Sequence, residues 1–214
     1  MKKKLTVIIP TRNEGKGIKK VIKSIPKKFD VLVIDKSEDK TAEIAEKAGA
    51  KVILQKSKGK GNAMREAGKH VKTKYLAFID GDGTYPTDKF DEMLDILEKN
   101  EADVVIGSRT KIKGMSFLHL MGNKFFSFIA SVLYGKTNDL LTGLRVFKTK
   151  DFNNLELKST GFEIETELHI QCMKKGLKVK EVPIKYTERI GESKLNAWKD
   201  GLRILKVLLK NKFK

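Results

Sequence analysis

The chain has 214 residues, 40% of them hydrophobic, which suffices for one substantial core and is short for two. Its single cysteine, Cys172, excludes an internal disulfide, and its formal charge of +18 points to polyanionic partners such as nucleic acid, anionic lipid or phosphorylated small molecules. The N-terminal "MKKKLTVIIP" has too short an apolar run for a signal peptide, and no apolar segment approaches the roughly 18 to 20 residues of a membrane span, so a cytoplasmic protein that can lie on a bilayer without crossing it is expected.

In chain order, "LTVIIP" (5–10), "VLVIDK" (31–36), "KVILQ" (51–55), "YLAFID" (75–80) and "DVVIGS" (103–108) are short, β-branched-rich apolar runs, the signature of strands buried on both faces. Helical patterns lie between them at 15–25, 40–49, 61–71 and 87–99. This alternation predicts a parallel, doubly wound sheet. After Ser108 the rhythm changes to a long helical segment (116–135), a loop, a helix near 162–175, a strand (179–189) and a final helix from about 196.

In open α/β sheets, ligands bind beyond the carboxyl ends of the strands. Those ends carry "PTRNE" (10–14), "DKSEDKT" (35–41), "KGKGNA" (58–63), "DGDGTYP" (80–86) and "GSR" (107–109), a concentration of carboxylates that turns alone do not require. Asp80 and Asp82 repel each other unless a cation lies between them, so the pair suits a hard divalent ion, Mg²⁺ or Mn²⁺, that also takes phosphate and water ligands. An EF-hand is excluded: Tyr85 stands where its glycine belongs, Asp91 where its glutamate belongs, and a strand precedes the loop. The loop "KSKGKGNAMREAG" lacks P-loop spacing, but Gly59 and Gly61 permit close backbone approach, and a helix starting near Asn62 would offer free N–H groups to an anion.

The ordered set "VIIPTRNE", "VIDKSEDKT", "GKGNA", "DGDGTYP", "GSR", "NDLLTGLRVF", "GFEIETEL" and "YTERIGESKLN" resembles the family-two GT-A glycosyltransferases, specifically the dolichyl or polyprenyl phosphate sugar synthases, over roughly residues 4 to 198. The resemblance implies a GT-A (Rossmann-like) α/β fold, a mostly parallel sheet flanked by helices, over 1–195, with a C-terminal amphipathic helix at 196–214. It implies transfer of a hexose, with inversion, from a GDP- or UDP-linked nucleotide sugar to a dolichyl or polyprenyl phosphate. By the same resemblance Pro10, Arg12, Glu14, Asp35, Lys60, Asp80 and Arg109 belong to the donor site. Asp80 and Asp82 match the metal-binding Asp-x-Asp motif, and Arg145, Arg189 and Lys194 match positions for the acceptor phosphate. Asp82, Asp139 and Arg145 are the residues assigned to catalysis, Asp139 as acceptor-site organiser or weak base. Two positions depart from the pattern. Lys36 stands where a second carboxylate is usual, and Thr84 where a glutamine often follows the Asp-x-Asp pair.

The chemistry agrees with this residue set. A lipid phosphate is already anionic, so it needs orientation more than deprotonation, while the leaving nucleoside diphosphate needs its growing charge stabilised. His70, His119 and His169 have no ligand spacing and read as surface or packing residues, and Cys172 as a small apolar filler. In the last helix Lys199, Arg203, Lys206 and Lys210 form one stripe, and Trp198, Leu202, Leu205 and Leu209 another, a pattern suited to an anionic bilayer surface, with 116–135 as a second in-plane element. Two other classes remain. A nucleotidyltransferase would carry a glycine-rich basic signature after strand one, where "PTRNE" stands. A nucleic-acid-binding domain would need exposed aromatics among its basic residues, and aromatic content is only 7%.

Overall fold

The structure, a computed structural model, describes residues 3–212; the ends of the N-terminal and C-terminal segments read above, residues 1–2 and 213–214, lie outside it. Strands β1 (Leu5–Thr11), β2 (Asp30–Asp35), β3 (Lys51–Leu54), β4 (Tyr75–Phe78), β5 (Val104–Ile112), β6 (Arg145–Lys148) and β7 (Val179–Tyr186) form one sheet in the order β3-β2-β1-β4-β6-β5-β7. All neighbours pair in parallel except β6, which runs antiparallel to both β4 and β5. The helices are α1 (Ile18–Ser24), α2 (Thr41–Lys47), α3 (Lys60–Gly68), α4 (Phe90–Glu98), α5 (Phe117–Leu133), α6 (Thr149–Asn153), α7 (Ile164–Lys174) and α8 (Ala197–Lys210).

Alternation along the strands divides the core between two faces. Val7 and Ile9 of β1 pack with α1, α2 and α4, whereas Ile8 packs with α3, α6 and α7. β6 and α6 fall in the stretch read from the sequence as loop. β6 is only four residues long, opens on an arginine, and is held as a strand by its two neighbours rather than by its own pattern.

The C-terminal helix is no loose appendage. Asn196 caps it, accepting from the Lys199 N–H at 2.9 Å, while Asp200 accepts from the Asn196 N–H at 2.9 Å. Ile204 and Leu208 then join Ala130, Leu140 and Ile170 in a third core cluster, beneath α5 and α7.

α5 is inverted relative to an ordinary surface helix. Its buried positions include Asn123 and Ser127, which bond to the 139–141 loop: Asn123 to Asp139 and to the Leu141 N–H, Ser127 to the Leu140 N–H. Phe117, Met121, Phe125, Phe128 and Val132 meanwhile form one exposed stripe, each 47 to 77% accessible.

His169 is a packing residue, as expected. It is 1% accessible, its Nε2–H donates to the Gly135 carbonyl at 3.2 Å, and Nδ1 has no partner. Burial, then the nearby Arg145 charge, outweighs the opposing pull of the Gly135 carbonyl and Glu181 and pushes its pKa down to about 4. The unfolded chain therefore takes up a proton near pH 6.5 that the folded chain refuses until about 4. Stability is expected to fall as pH drops through that window, and thermal midpoints measured from pH 7 to 4.5 should fall less steeply in His169→Gln than in the parent.

Candidate active site

The carboxyl ends of β1, β2, β4, β5 and β7 converge on one cleft, joined by the loop that enters the antiparallel β6. Asn13, with a left-handed φ of 54°, shapes the turn after β1: its N–H donates to Ser37 Oγ at 2.7 Å, and its Oδ1 accepts from the Glu38 N–H at 2.8 Å. This seats Arg12 on the cleft rim and Glu14 within it. Asp35, at 2% accessibility, accepts from the Thr11 hydroxyl at 2.6 Å and from both Ser37 donors, so its oxygens are engaged inside the protein.

The cleft has two adjoining halves of about 150 Å³ each, which share Lys60, Asp80, Phe162, Arg189 and Lys194. One half is bounded by Pro10, Arg12, Glu14, Lys36 and Gln55. Asp82, Tyr85, Arg109, His119, Asn123 and Tyr186 are among those bounding the other. Two larger concavities, about 650 and 810 Å³, lie around Lys3 and Phe29 at the opposite end of the strands, away from these groups.

Four carboxylates alternate with three cations at the centre. Lys60 Nζ lies 2.6 Å from both Asp80 Oδ1 and Glu165 Oε1. Arg189 reaches Asp82 Oδ2 at 2.7 Å and Glu14 at 3.8 Å, and Lys194 reaches Glu14 at 2.8 Å. Burial, reinforced by Asp80, pushes the Asp82 carboxyl above its usual range, against the pull of Arg189 and Thr84. Glu14 is likewise raised, chiefly by burial, and its buried Oε2 has no hydrogen-bond partner.

The central donors suit a hard divalent ion. Among the described residues no three His, Cys, Asp or Glu side chains are grouped to hold a metal, so Asp80 and Asp82 would supply a minority of the ligands, and phosphate and water the rest. The orphaned oxygen of Glu14 and the excess of carboxylates over cations show that the cluster can take further positive charge. The Thr84 N–H and hydroxyl both donate to Asp82 Oδ1, at 3.0 and 2.7 Å, fixing that carboxylate. Gly143 is needed at its position: a Cβ there would lie 2.6 Å from Asp80 Oδ2.

Four expectations change. Arg109, expected to contact the donor, has 7% of its side chain exposed and its guanidinium is held bidentate by Asp139. Arg145 is 1% accessible and donates to the carbonyls of Thr142 and Leu140, at 3.1 and 2.5 Å; it braces the 139–143 loop from beneath and does not face an acceptor phosphate. Asp139 accepts from Arg109 N, Nε and NH2 at 2.9, 2.7 and 2.6 Å and from Asn123 at 2.9 Å, which fills its lone pairs, leaves it an organiser, and removes it as a base. The N–H groups of Gly61 and Asn62, expected to face an anion, are turned to the chain itself. The Gly61 N–H donates to the Thr160 carbonyl at 3.0 Å, and added Cβ atoms at Gly59 and Gly61 would strike the 159–160 backbone at 2.1 and 2.3 Å, so the close approach these glycines allow is to the chain itself.

A family model described as Glycosyl transferase family 2 matches residues 6–156. The chain belongs to that family. Among its relatives, glycosyltransferase AglJ of Haloferax volcanii is 38% identical over 198 residues, covering 89% of this chain and 65% of AglJ. The low-salt glycan biosynthesis hexosyltransferase Agl6 of the same organism is 34% identical, covering 97% of this chain. The chain thus spans about two thirds and about half of these relatives, 65% and 53%. A dolichyl-phosphate hexose transferase, also of H. volcanii, is 36% identical and matches over 96% of this chain and 92% of its own length. Among solved structures, glucosyl-3-phosphoglycerate synthase from Mycobacterium tuberculosis superposes with a TM-score of 0.81 at 20% identity, covering 99% of this chain and 80% of that one. Mannosyl-3-phosphoglycerate synthase from Rubrobacter xylanophilus gives 0.76 at 21%, covering 98% and 72%. At such identities these two show only that the chain shares the GT-A fold.

Several groups in the cleft were not singled out from the sequence. Glu165 sits within "GFEIETEL" and Tyr85 within "DGDGTYP", both quoted segments, but nothing in a segment says which side chain turns inward. The Tyr85 hydroxyl accepts from the Gly143 N–H at 2.7 Å, and its ring meets Tyr186 edge-on at 5.3 Å. His119, read as surface or packing, lines the cleft.

Proposed function

We propose that this glycosyltransferase moves a hexose, with inversion and with the aid of Mg²⁺ or Mn²⁺, from a GDP- or UDP-linked sugar to a polyprenyl or dolichyl phosphate at the cytoplasmic face of an anionic membrane. The observation that carries the acceptor is the apolar face beside the cleft. Every strongly exposed large apolar side chain among the described residues except Leu54 lies on α5 or α8, and Met115, His119 and Ile204, on or next to these helices, line the second half of the cleft. Trp198, Leu202 and Leu209 are exposed on α8, which shares a buried cluster with α5, and Lys199, Arg203, Lys206 and Lys210 lie on the same helix. A patch of this kind suits insertion at a lipid headgroup layer, each nearby cation adding about 1 kcal/mol at an anionic surface. No helix of the described residues is long and apolar enough to cross a membrane. The H. volcanii relative named a dolichyl-phosphate hexose transferase supports the same acceptor class. The Mn²⁺ and UDP-glucose of the M. tuberculosis synthase complexes support the donor class.

In this reading, Pro10, Arg12, Glu14, Asp35 and Lys36 build the nucleoside half, with Asp35 acting through the turn it orders. Asp80 and Asp82 hold the divalent ion, which when bound draws charge off the leaving diphosphate. Lys60, Arg189 and Lys194 stand where the two halves meet and add cationic stabilisation to the same oxygens. The acceptor phosphate approaches from the half bounded by Tyr85, His119 and Asn123, opposite the leaving group, as inversion requires. Arg189 and Lys194 orient it, while Arg109 is committed to Asp139. An already anionic nucleophile needs orientation more than a general base.

The test is to incubate the protein with Mn²⁺, a panel of GDP- and UDP-hexoses, and either polyprenyl phosphate in anionic vesicles or water-soluble 3-phosphoglycerate, and then weigh the products. A hexosyl lipid is expected, with co-sedimentation on vesicles that weakens with salt and is lost in Phe128→Glu/Leu202→Glu. A phosphoglycerate product with no lipid product rejects the acceptor. A concentration-dependent dimer abolished by the double variant, without vesicle binding, would assign the apolar face to a second copy.

A further inference from the structure

Glu165 has no role in the transfer scheme above, yet it is a buried carboxylate 2.6 Å from Lys60, which also touches Asp80. We propose that Lys60 is a resident cation of the metal site, which neutralises Asp80 in the free protein, and that Glu165 is the positioning residue that keeps hold of the ammonium when a divalent ion takes Asp80. This deepens the glycosyltransferase reading and rests on it.

The geometry favours exchange over a fixed brace. Lys60 is the first residue of α3, directly after Gly59, whose φ of 116° and contact with the Thr160 backbone fix where the lysine side chain starts. Its Nζ lies between two carboxylates at equal 2.6 Å distances, with the Phe162 ring 5.9 Å away, so leaving one carboxylate does not strand the charge. Asp80 is the more accessible of the two, with 25% of its side chain exposed against 7% for Glu165, and it faces both halves of the cleft. Asp82 is answered by Arg189 in the same way. Both members of the Asp-x-Asp pair are thus already neutralised by the protein's own side chains.

A divalent ion arriving alone must displace an ammonium that gains nothing in return beyond Glu165. A nucleoside diphosphate arriving with it gives Lys60 and Arg189 new anionic partners. Metal and donor should therefore bind with strong positive coupling, and coupling between two ligands is reciprocal. The two partners of Lys60 make opposite predictions. Removing the lysine charge leaves Asp80, Asp82 and Glu165 as unopposed carboxylates and should tighten binding of metal alone. Removing the Glu165 charge ties Lys60 to Asp80 and should weaken it.

The measurement is free Mn²⁺ by electron paramagnetic resonance during titration of the full chain, without nucleotide and then with UDP or GDP, each variant first checked for native circular dichroism. Lys60→Gln should bind Mn²⁺ alone about tenfold more tightly than the parent and lose most of the further tightening brought by the nucleotide, a coupling of ordinary size. Glu165→Gln should bind Mn²⁺ alone more weakly than the parent. The proposal is overturned if Lys60→Gln binds Mn²⁺ no more tightly than the parent, or if both variants shift in the same direction, as they would were the pair a structural brace. Should Lys60→Gln fail to fold, Glu165→Gln decides, and unchanged or tighter Mn²⁺ binding there overturns the proposal. Asp82→Asn separates the two levels. If Mn²⁺ binding with nucleotide survives that change, the metal reading itself fails; if it is lost while Lys60→Gln matches the parent, only the resident-cation role fails.

Discussion

Asp82→Asn is expected to lower hexose transfer by at least about 10²- to 10³-fold, the usual scale for removing one element of leaving-group stabilisation, while leaving the protein folded. The fold should survive because the oxygen that organises the turn is retained: an asparagine Oδ1 can still accept from the N–H and hydroxyl of Thr84. The charge itself is not an asset to the free protein. Burial and repulsion from Asp80 push the Asp82 carboxyl above its usual range, so the folded chain keeps a proton there that the unfolded chain has lost. Stability contributed by this position consequently declines as pH rises from the ordinary carboxylate range through the raised value, the reverse of a salt-bridged surface aspartate. Neutralising it leaves Arg189 with Glu14, 3.8 Å away, and with solvent, since its side chain is 26% exposed. Steady-state assays beside thermal unfolding at pH 7 check both halves. Near-normal turnover in Asp82→Asn would remove this carboxylate from the metal site, and a collapsed thermal midpoint would make its role structural.

The part of this site that could be read in the sequence is the part written into strand ends. A continuous apolar run that stops in Asp-Gly-Asp leaves its carboxylates little choice of location, because the strand must be buried and its carboxyl end must meet the cleft. The same holds for the turn after β1 and for Asp35 at the end of β2. Arg145 shows where that logic stops. Its place in "TGLRVF" marks it as part of the site, but it begins the antiparallel β6, and strand direction decides whether its side chain faces the cleft or the layer beneath. Four residues carry too little periodicity to reveal that direction. The glycine loop failed for a related reason: Gly59 and Gly61 announce a close approach without saying to what, and the partner proved to be the backbone of residues 159–160, a hundred positions away. In α5 the apolar character of the segment was visible, yet composition does not say which face is buried. Only the bonds of Asn123 and Ser127 to the 139–141 loop reveal that the phenylalanines are the outer face.

Asp139→Ala is expected to produce the largest loss of stability of any single change in the cleft. Its carboxylate and the Arg109 guanidinium are both nearly inaccessible, with 2% and 7% of their side chains exposed, and the pair is bidentate. Removing one partner strands a buried charge, a change that typically costs about 3–5 kcal/mol against total stabilities of about 5–15 kcal/mol. The damage should spread along the loop to β6, because Asn123 bonds both Asp139 and the Leu141 N–H, and Arg145 holds the carbonyls of Leu140 and Thr142. Arg145→Met should show a smaller loss of the same kind, since it frees those carbonyls without leaving a charge behind. Asp139→Asn is the milder change, because the amide oxygen still accepts from Arg109, while its NH2 group meets donors of Arg109 or Asn123 and loses those bonds along with the charge. With all its oxygen lone pairs committed to Arg109 and Asn123, Asp139 has none to take a proton from an acceptor. The asparagine variant should therefore lose turnover only in step with its loss of stability and keep the parent's pH–rate profile. A midpoint unchanged in Asp139→Ala would show that the pair does not brace the loop. Loss of an acidic inflection in the pH–rate profile of a fully folded Asp139→Asn would return the residue to the role of base.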